Sequence, residues 1–201
     1  HNLLKYAEKI ESEIFNVNDE FMRSNPTVTG KVKVSVGEGL GVEVFTKYLK
    51  DFFLEYPEIE IELLADSRSR SLANRETDVL ISLSRPKKGR LISWKLCDYN
   101  VKLYGSKSYL KSCSNINDLK DLREHKFISY VDELVEFPEL NYFDEINDSF
   151  NVVFRSNSLR SQFLAVRNGL GLGLIHSFIA SKENSLEEVL PELINIKREY
   201  W

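Results

Sequence analysis

Hydrophobic positions along the chain change period several times, and each change predicts an element. Leu3, Ala7, Ile10 and Ile14 recur at helical spacing opposite Glu8, Lys9, Glu11 and Glu13, predicting an amphipathic helix over residues 2 to about 22. "SNPTVTG" breaks it, so residues 1–29 read as a linker helix and connector. From Lys31 the period becomes two: "KVKVSV" predicts a strand and "GEGLG" a loop. Leu40, Val44, Tyr48, Leu49 and Phe52 then share one helical face until Pro57 ends the helix. "IEIELL" predicts a second strand, "SRSLANRE" a polar helix and "DVLISL" a third strand. This alternation of strand and helix implies parallel pairing in an α/β sheet. Lys33, Glu60 and Glu62 interrupt strands that would be apolar if covered on both faces, which places them towards an edge or a polar interface.

The second half continues in kind. "VKLYG" predicts a strand, "SKSYLK" and "NDLKDLREH" helices, "FISYV" a strand, then a long polar loop and the strand "NVVFR". Leu159, Phe163, Val166 and Leu170 mark a helix capped by Asn157 or Ser158. "LGLGLI" predicts a strand, "SFIAS" a short helix, Ser185 to Glu188 a capping box, and "LINIKREYW" a last strand.

Gly169, Gly171 and Gly173 sit at alternate positions in "RNGLGLGLI", which raises the question of a phosphate cradle. A dinucleotide fingerprint needs its glycines after a strand and before a helix. Here a helix precedes and a strand follows, and the GxGxxG spacing fails. Gly169 therefore reads as a left-handed residue past a helix end, and Gly171 and Gly173 as points of close backbone approach.

Composition narrows the function. The 201 residues are 42% hydrophobic and carry a net charge of -4, so the chain has ample core material and no field to attract phosphate backbones. No apolar run is long enough to span a membrane, and the amino end does not read as a signal peptide. Cys97 and Cys113 form no CxxC, and the three histidines (His1, His125, His176) offer no metal cluster. No cofactor or metal is expected. GxxxxGK[ST], HExxH and GxSxG are missing, and Ser108 with Lys111 matches SxxK without its partner motifs. Residues 132–148 hold seven carboxylates and read as a solvated acidic loop; "RPKKGR" at 85–90 reads as a basic turn.

The order of these segments carries a resemblance. "GKVKVSVGEGLG", "FFLEYPEIEIEL", "RETDVLISL", "LISWKL", "VKLYGSKSYL", "DLREHKFI" and "RSNSLRSQFLAVRNGLGLGLI" together resemble the effector-binding half of LysR-type transcriptional regulators, across essentially the whole chain. His176 departs from the pattern, where the family commonly has Pro. The resemblance implies two Rossmann-like lobes of periplasmic-binding-protein type joined by two crossovers. Lobe I would comprise residues 30–98 plus 156–201, and lobe II residues 99–155. It further implies a small-molecule effector between the lobes, at strand and helix ends. Mapped by motif, that site falls on Gly37, Glu38 and Gly39, on Ser67, Ser84 and Tyr130, and on Asn157 and Ser158.

The family likeness also implies a homodimer or homotetramer using the helix at 40–55, a cytoplasmic location, and promoter DNA met only through a winged helix-turn-helix before residue 1. The catalytic set is expected to be empty. An extracytoplasmic solute-binding protein shares the two-lobed design, and an enzyme on the same fold would use Glu38 as its acid or base. Serines and helix-start amides suit a small carboxylate, whereas Glu38 argues against a strongly anionic ligand beside it.

Overall fold

A computed structural model describes residues 28–66, 76–86, 91–146 and 150–201. The expected linker helix, and the expected polar helix at 69–76 up to residue 75, lie outside these residues.

Strand β1 (Gly30–Val36) leads into α1, which starts at Glu38–Leu40, widens into a π-helical segment at Gly41–Phe45 and continues as an α-helix over Thr46–Glu55. Strands β2 (Ile59–Ala65) and β3 (Val79–Ile81) flank β1, both parallel to it, giving the order β2-β1-β3. The charged positions inside these strands have a simple account. Register sets Lys31 opposite Glu60 and Lys33 opposite Glu62, on the edge strand. Lys31 reaches Glu62 at 2.8 Å and Glu60 at 3.0 Å, and its hydrogen bond holds the Glu62 carboxyl below the usual range.

The π-helical segment corrects the expected face of α1. The amide of Thr46 donates to the carbonyl of Gly41 five residues back, so the helix beyond it is rotated relative to a continuous α-helix. Val44, Leu49 and Phe52 are half-buried, while Tyr48, expected among them, is 66% exposed.

Strand β4 (Cys97–Ser106) anchors a second sheet. Ser106 caps the short helix α2 (Lys107–Ser112), accepting a hydrogen bond from the Tyr109 amide. The helix expected at "NDLKDLREH" is one 3-10 turn, Asp121–Glu124, because the Asp118 and Asp121 carboxylates accept from nearby amides and hold a turn. Strands β5 (Lys126–Ser129) and β6 (Asn151–Arg155) pair in parallel, followed by α3 (Leu159–Arg167), β7 (Leu172–His176) and a helical turn α4 (Ser177–Ala180). The expected capping box at Ser185 is instead β8 (Leu186–Glu188), and β9 (Ile196–Tyr200) ends the sheet. Strand order is β6-β5-β7-β4-β8, with β9 also on β4. This sheet is mixed: β7 runs parallel to β5, whereas β7, β8 and β9 all oppose β4.

The expected division of the chain is corrected here. The resemblance places residues 156–201 in the lobe of β1, yet β7, β8 and β9 all hydrogen-bond into the sheet of β4. The long strand β4 presents two backbone edges: β7 pairs with Val101–Tyr104 on one, while β9 along Cys97–Val101 and β8 along Tyr104–Ser106 share the other. Only the chain end returns. Trp201 and Ser82 exchange two backbone hydrogen bonds, at 2.9 and 3.0 Å.

The core sits in this second lobe. Val101, Leu103, Phe127, Leu172 and Ile194 pack on one side of the sheet, and Phe163, Val166, Ile175 and Ile179 on the other. The acidic loop is folded down on the core rather than merely solvated: Leu140 and Tyr142 are buried, Arg155 pairs with Asp132 at 2.7 Å, and Arg198 pairs with Glu145.

Gly169 and Gly171 behave as their order implied, whereas a Cβ on Gly173 would meet the Val166 side chain at 2.6 Å and no neighbouring backbone. Gly169 has φ +80° just past α3. A Cβ on Gly171 would lie 2.4 Å from the Lys126 carbonyl oxygen, where β7 meets β5. Gly171→Ala is therefore expected to cost roughly 2 kcal/mol or more, whereas Gly37→Ala, with open space and a negative φ, should shift stability by under about 1 kcal/mol. Urea unfolding of the two variants checks this ordering; equal midpoints would contradict the packing account.

Candidate functional site

The first turns of α1 and α3 meet between the two sheets. The start of α3 is held by its own short polar residues. The Ser156 amide donates to the Ser129 carbonyl, tying the end of β6 to β5, and the Ser158 amide donates to Ser156 Oγ. Ser158 Oγ then accepts from the Ser161 amide as the cap, and Gln162 Nε2 donates back to the Ser156 carbonyl at 2.7 Å.

Against this turn lies the loop after β1. Gly39 fits there because it has no side chain: a Cβ would stand 2.6 Å from Leu159 Cδ2 and 3.0 Å from His176 Nδ1. Close approach lets the neighbouring side chains cross. Ser158 Oγ donates to Glu38 Oε1 at 2.8 Å, the Arg160 amide donates to Glu38 Oε2 at 3.4 Å, and Arg160 Nη1 donates to Glu43 Oε1 at 2.9 Å. Two carboxylates of one lobe thus clasp the helix start of the other, where the macrodipole favours negative charge.

Beneath the clasp lies an aromatic and polar layer. His176 is buried, its Nε2 3.1 Å from Tyr142 Oη and its Nδ1 without a hydrogen-bond partner. The Tyr99 ring stacks on Tyr200 at 4.5 Å and lies 4.8 Å from His176; the hydroxyls of Tyr99 and Tyr200 are also buried and unpartnered. Burial pushes the Tyr99 phenol up to about 12 and the His176 imidazole down to about 3, each by disfavouring the charged form. Tyr130 is buried too, its phenol raised by burial first and then by the charges of Tyr99 and Glu38.

The residues expected from sequence divide accordingly. Glu38, Gly39 and Ser158 come together, with Gly37 as the N-cap of α1 and Tyr130 within the electrostatic reach of Glu38. Asn157 is exposed beside Ser158. Ser84 lies beyond β3, at the crossover, its amide donating to Ser82 Oγ at 3.3 Å. Ser67 lies outside the described residues. Glu43 and Arg160 were missed, since nothing local links residues 117 positions apart. His176 was visible only as a departure from a pattern. A separate hollow of about 340 Å³ lies along Ile194–Arg198 and Glu145, away from the clasp, and is lined by β9 itself.

Other chemistry finds little support. Among the described residues no group of three or more His, Cys, Asp and Glu could hold a metal ion, and no helix is long and apolar enough to cross a membrane. Cys97 and Cys113 are free thiols, and burial raises both above their ordinary value, which disfavours the reactive thiolate.

The family model described as the LysR substrate binding domain matches residues 26–201. The HTH-type transcriptional regulator PtxR of Pseudomonas aeruginosa is 24% identical over 136 residues, covering 66% of this chain and 43% of that protein. The glycine cleavage system transcriptional activator homolog of Haemophilus influenzae is 26% identical over 165 residues, 80% of this chain and 54% of that protein. The chain thus spans about half the length of these curated relatives. Among solved structures, the regulatory domain of CrgA from Neisseria meningitidis, a LysR-type transcriptional regulator, superposes with a TM-score of 0.72 at 17% identity, covering 86% of this chain and 87% of that one. The regulatory domain of AphB from Vibrio vulnificus gives 0.69 at 25% identity, covering 85% and 89%.

His176 makes acid lability a direct consequence of the buried layer. A pH unit or more above the ordinary value of about 6.5 the imidazole is neutral in folded and unfolded chains alike. As pH falls from there towards 3, the unfolded chain binds a proton that the folded one excludes, so stability drops by up to about 1.4 kcal/mol per pH unit. His176→Gln removes this titration, and its urea-unfolding free energy should fall less steeply between pH 6 and 4. Identical slopes for the two proteins would place the acid sensitivity elsewhere.

Proposed function

The chain belongs to the LysR substrate binding domain family, and on that premise we propose that it is the ligand-sensing and oligomerisation part of a LysR-type transcriptional regulator. The observation that carries the proposal is the meeting of α1 and α3 between the two sheets. Glu38, Gly39 and Ser158 form its centre, with Gly37, Tyr130 and Asn157 around them, and Ser84 and Ser67 extend the candidate set. Such a seam, at the carboxyl end of β1 and the amino end of a helix, is where open α/β folds place ligands.

An effector entering there changes how tightly the lobes hold each other. In this reading the change passes to partner subunits and to a DNA-binding domain carried on the rest of the protein, so that promoter DNA is met only through that domain. The names of the matched relatives favour a regulator over a solute-binding protein and over an enzyme. Glu38, the residue an enzyme would use as acid or base, is engaged by Ser158 and Arg160.

The outer face of α1 supports oligomerisation. None of Thr46–Glu55 is buried, and Tyr48, Phe53 and Leu54 along it are all exposed, Leu54 by 77%. A homodimer or homotetramer built on this helix covers it.

Two measurements test the proposal. Ser158→Trp should abolish any thermal stabilisation found in a panel of amino acids, small acids, amines and aromatics; a shift that survives would move the site away from α3. Replacing Tyr48 and Leu54 together by Asp should lower the mass measured by light scattering to that of a monomer with little change in unfolding temperature. Unchanged mass would remove α1 from the interface.

A further inference from the structure

The clasp between the lobes has the chemistry of a bound ligand, with the ligand supplied by the chain itself. Helix α3 is nine residues long, capped by Ser158, with the Arg160 amide directed outward. A free carboxylate would be held at such a place by a hydroxyl, a helix-start amide and the macrodipole. Glu38 Oε1 takes the hydroxyl and Oε2 the amide, from a residue 120 positions away in the sequence.

Two further observations set this apart from a chance surface contact. The space left under the clasp, between Glu38, Gly39, Leu159, Arg160 and Phe163, is about 10 Å³, room for one water and not for an acid. Below the same loop the wholly buried Nδ1 of His176 has no partner and faces Gly39. The loop therefore covers a polar atom that it does not satisfy. Its seat is fixed by the Glu38 and Glu43 contacts above, and lifting it exposes an imidazole nitrogen to whatever enters.

We infer that Glu38 is a tethered occupant of the cleft's anion position, so that the effector of this chain meets the α3 start with an ammonium or neutral donor group and not with a carboxylate. The local charge agrees. The Glu38 carboxylate already sits on the Ser158 hydroxyl and the Arg160 amide, which disfavours a second carboxylate at the same place and favours a donor group beside it. Glu38 keeps lone pairs free for such a group, since Ser158 and the Arg160 amide use one direction on each oxygen. This inference rests on the cleft being the effector site, but its test uses no effector.

Acetate is the probe, titrated against chloride at matched ionic strength into the whole chain and into Glu38→Ala. In Glu38→Ala acetate should bind saturably, shifting the Arg160 and Ser161 amide resonances. It should also raise the unfolding temperature by about 2–4 °C once its concentration exceeds its dissociation constant several-fold. The unmodified chain should show neither response beyond chloride. Adding Ser158→Ala to Glu38→Ala should weaken the acetate response roughly tenfold, and Glu38→Ser, which also vacates the position, supplies the same readout should the alanine variant fold poorly.

Acetate acting equally on the unmodified chain and on Glu38→Ala would overturn the inference, because the anion position would then be open. Acetate acting on neither would overturn it as well, because α3 would hold no anion position. A failed effector panel beside a successful acetate rescue would instead remove the effector reading and leave the tethered carboxylate standing.

Discussion

Strand β4 is the constraint from which the rest of the molecule follows. Its ten residues leave two rows of backbone donors and acceptors that must be paired once Val101 and Leu103 are fully buried. One row takes β7, and the other takes β9 along Cys97–Val101 and then β8 along Tyr104–Ser106. Every strand after residue 170 is thereby drawn into one sheet. That placement brings the end of β7, and so His176, beneath the loop that follows β1. It also leaves Trp201 as the point where the chain end regains the first sheet, through its exchange of backbone hydrogen bonds with Ser82.

The two lobes are consequently joined by two kinds of contact. At the crossover the link is backbone to backbone, stiffened by Arg85 lying 5.1 Å over the Trp201 ring. At the seam it is side chain to side chain, through Glu38, Glu43, Ser158 and Arg160. Side-chain contacts of this exposed, charged kind are worth little individually, and a competing ligand can exchange with them. The lobes are thus joined through backbone at one end and through polar side chains at the other.

The layer under the clasp runs against ordinary core composition. Tyr99, Tyr142, Tyr200 and His176 place four polar side chains in a buried cluster, and three polar atoms among them lack partners. Each such atom costs free energy relative to an apolar neighbour. Stacking of Tyr99 on Tyr200 and the hydrogen bond between Tyr142 and His176 offset part of that cost. The layer lies under Gly39, where the lobes meet.

What the sequence determined by itself was everything set within a few residues. Alternation in "KVKVSV", the Pro57 stop, the Ser158 cap, the left-handed Gly169 and the tight Gly171 all follow from local backbone geometry, which a short stretch of chain fully specifies. The order of landmarks also carried the family, and with it Glu38, Gly39 and Ser158 as candidates. Tertiary structure alone decided the rest, because pairing between distant segments depends on which edges and surfaces remain free. Ser185 to Glu188 satisfies a capping rule, yet β4 offers an unfilled edge and the segment becomes β8. Tyr48 keeps helical spacing, but a π-helical turn against Val36 and Ala65 rotates it into solvent. Glu38 and Ser158 are both legible as polar residues at element ends; that one hydroxyl donates to the other's carboxylate is fixed only when Gly39 lets two helix starts approach.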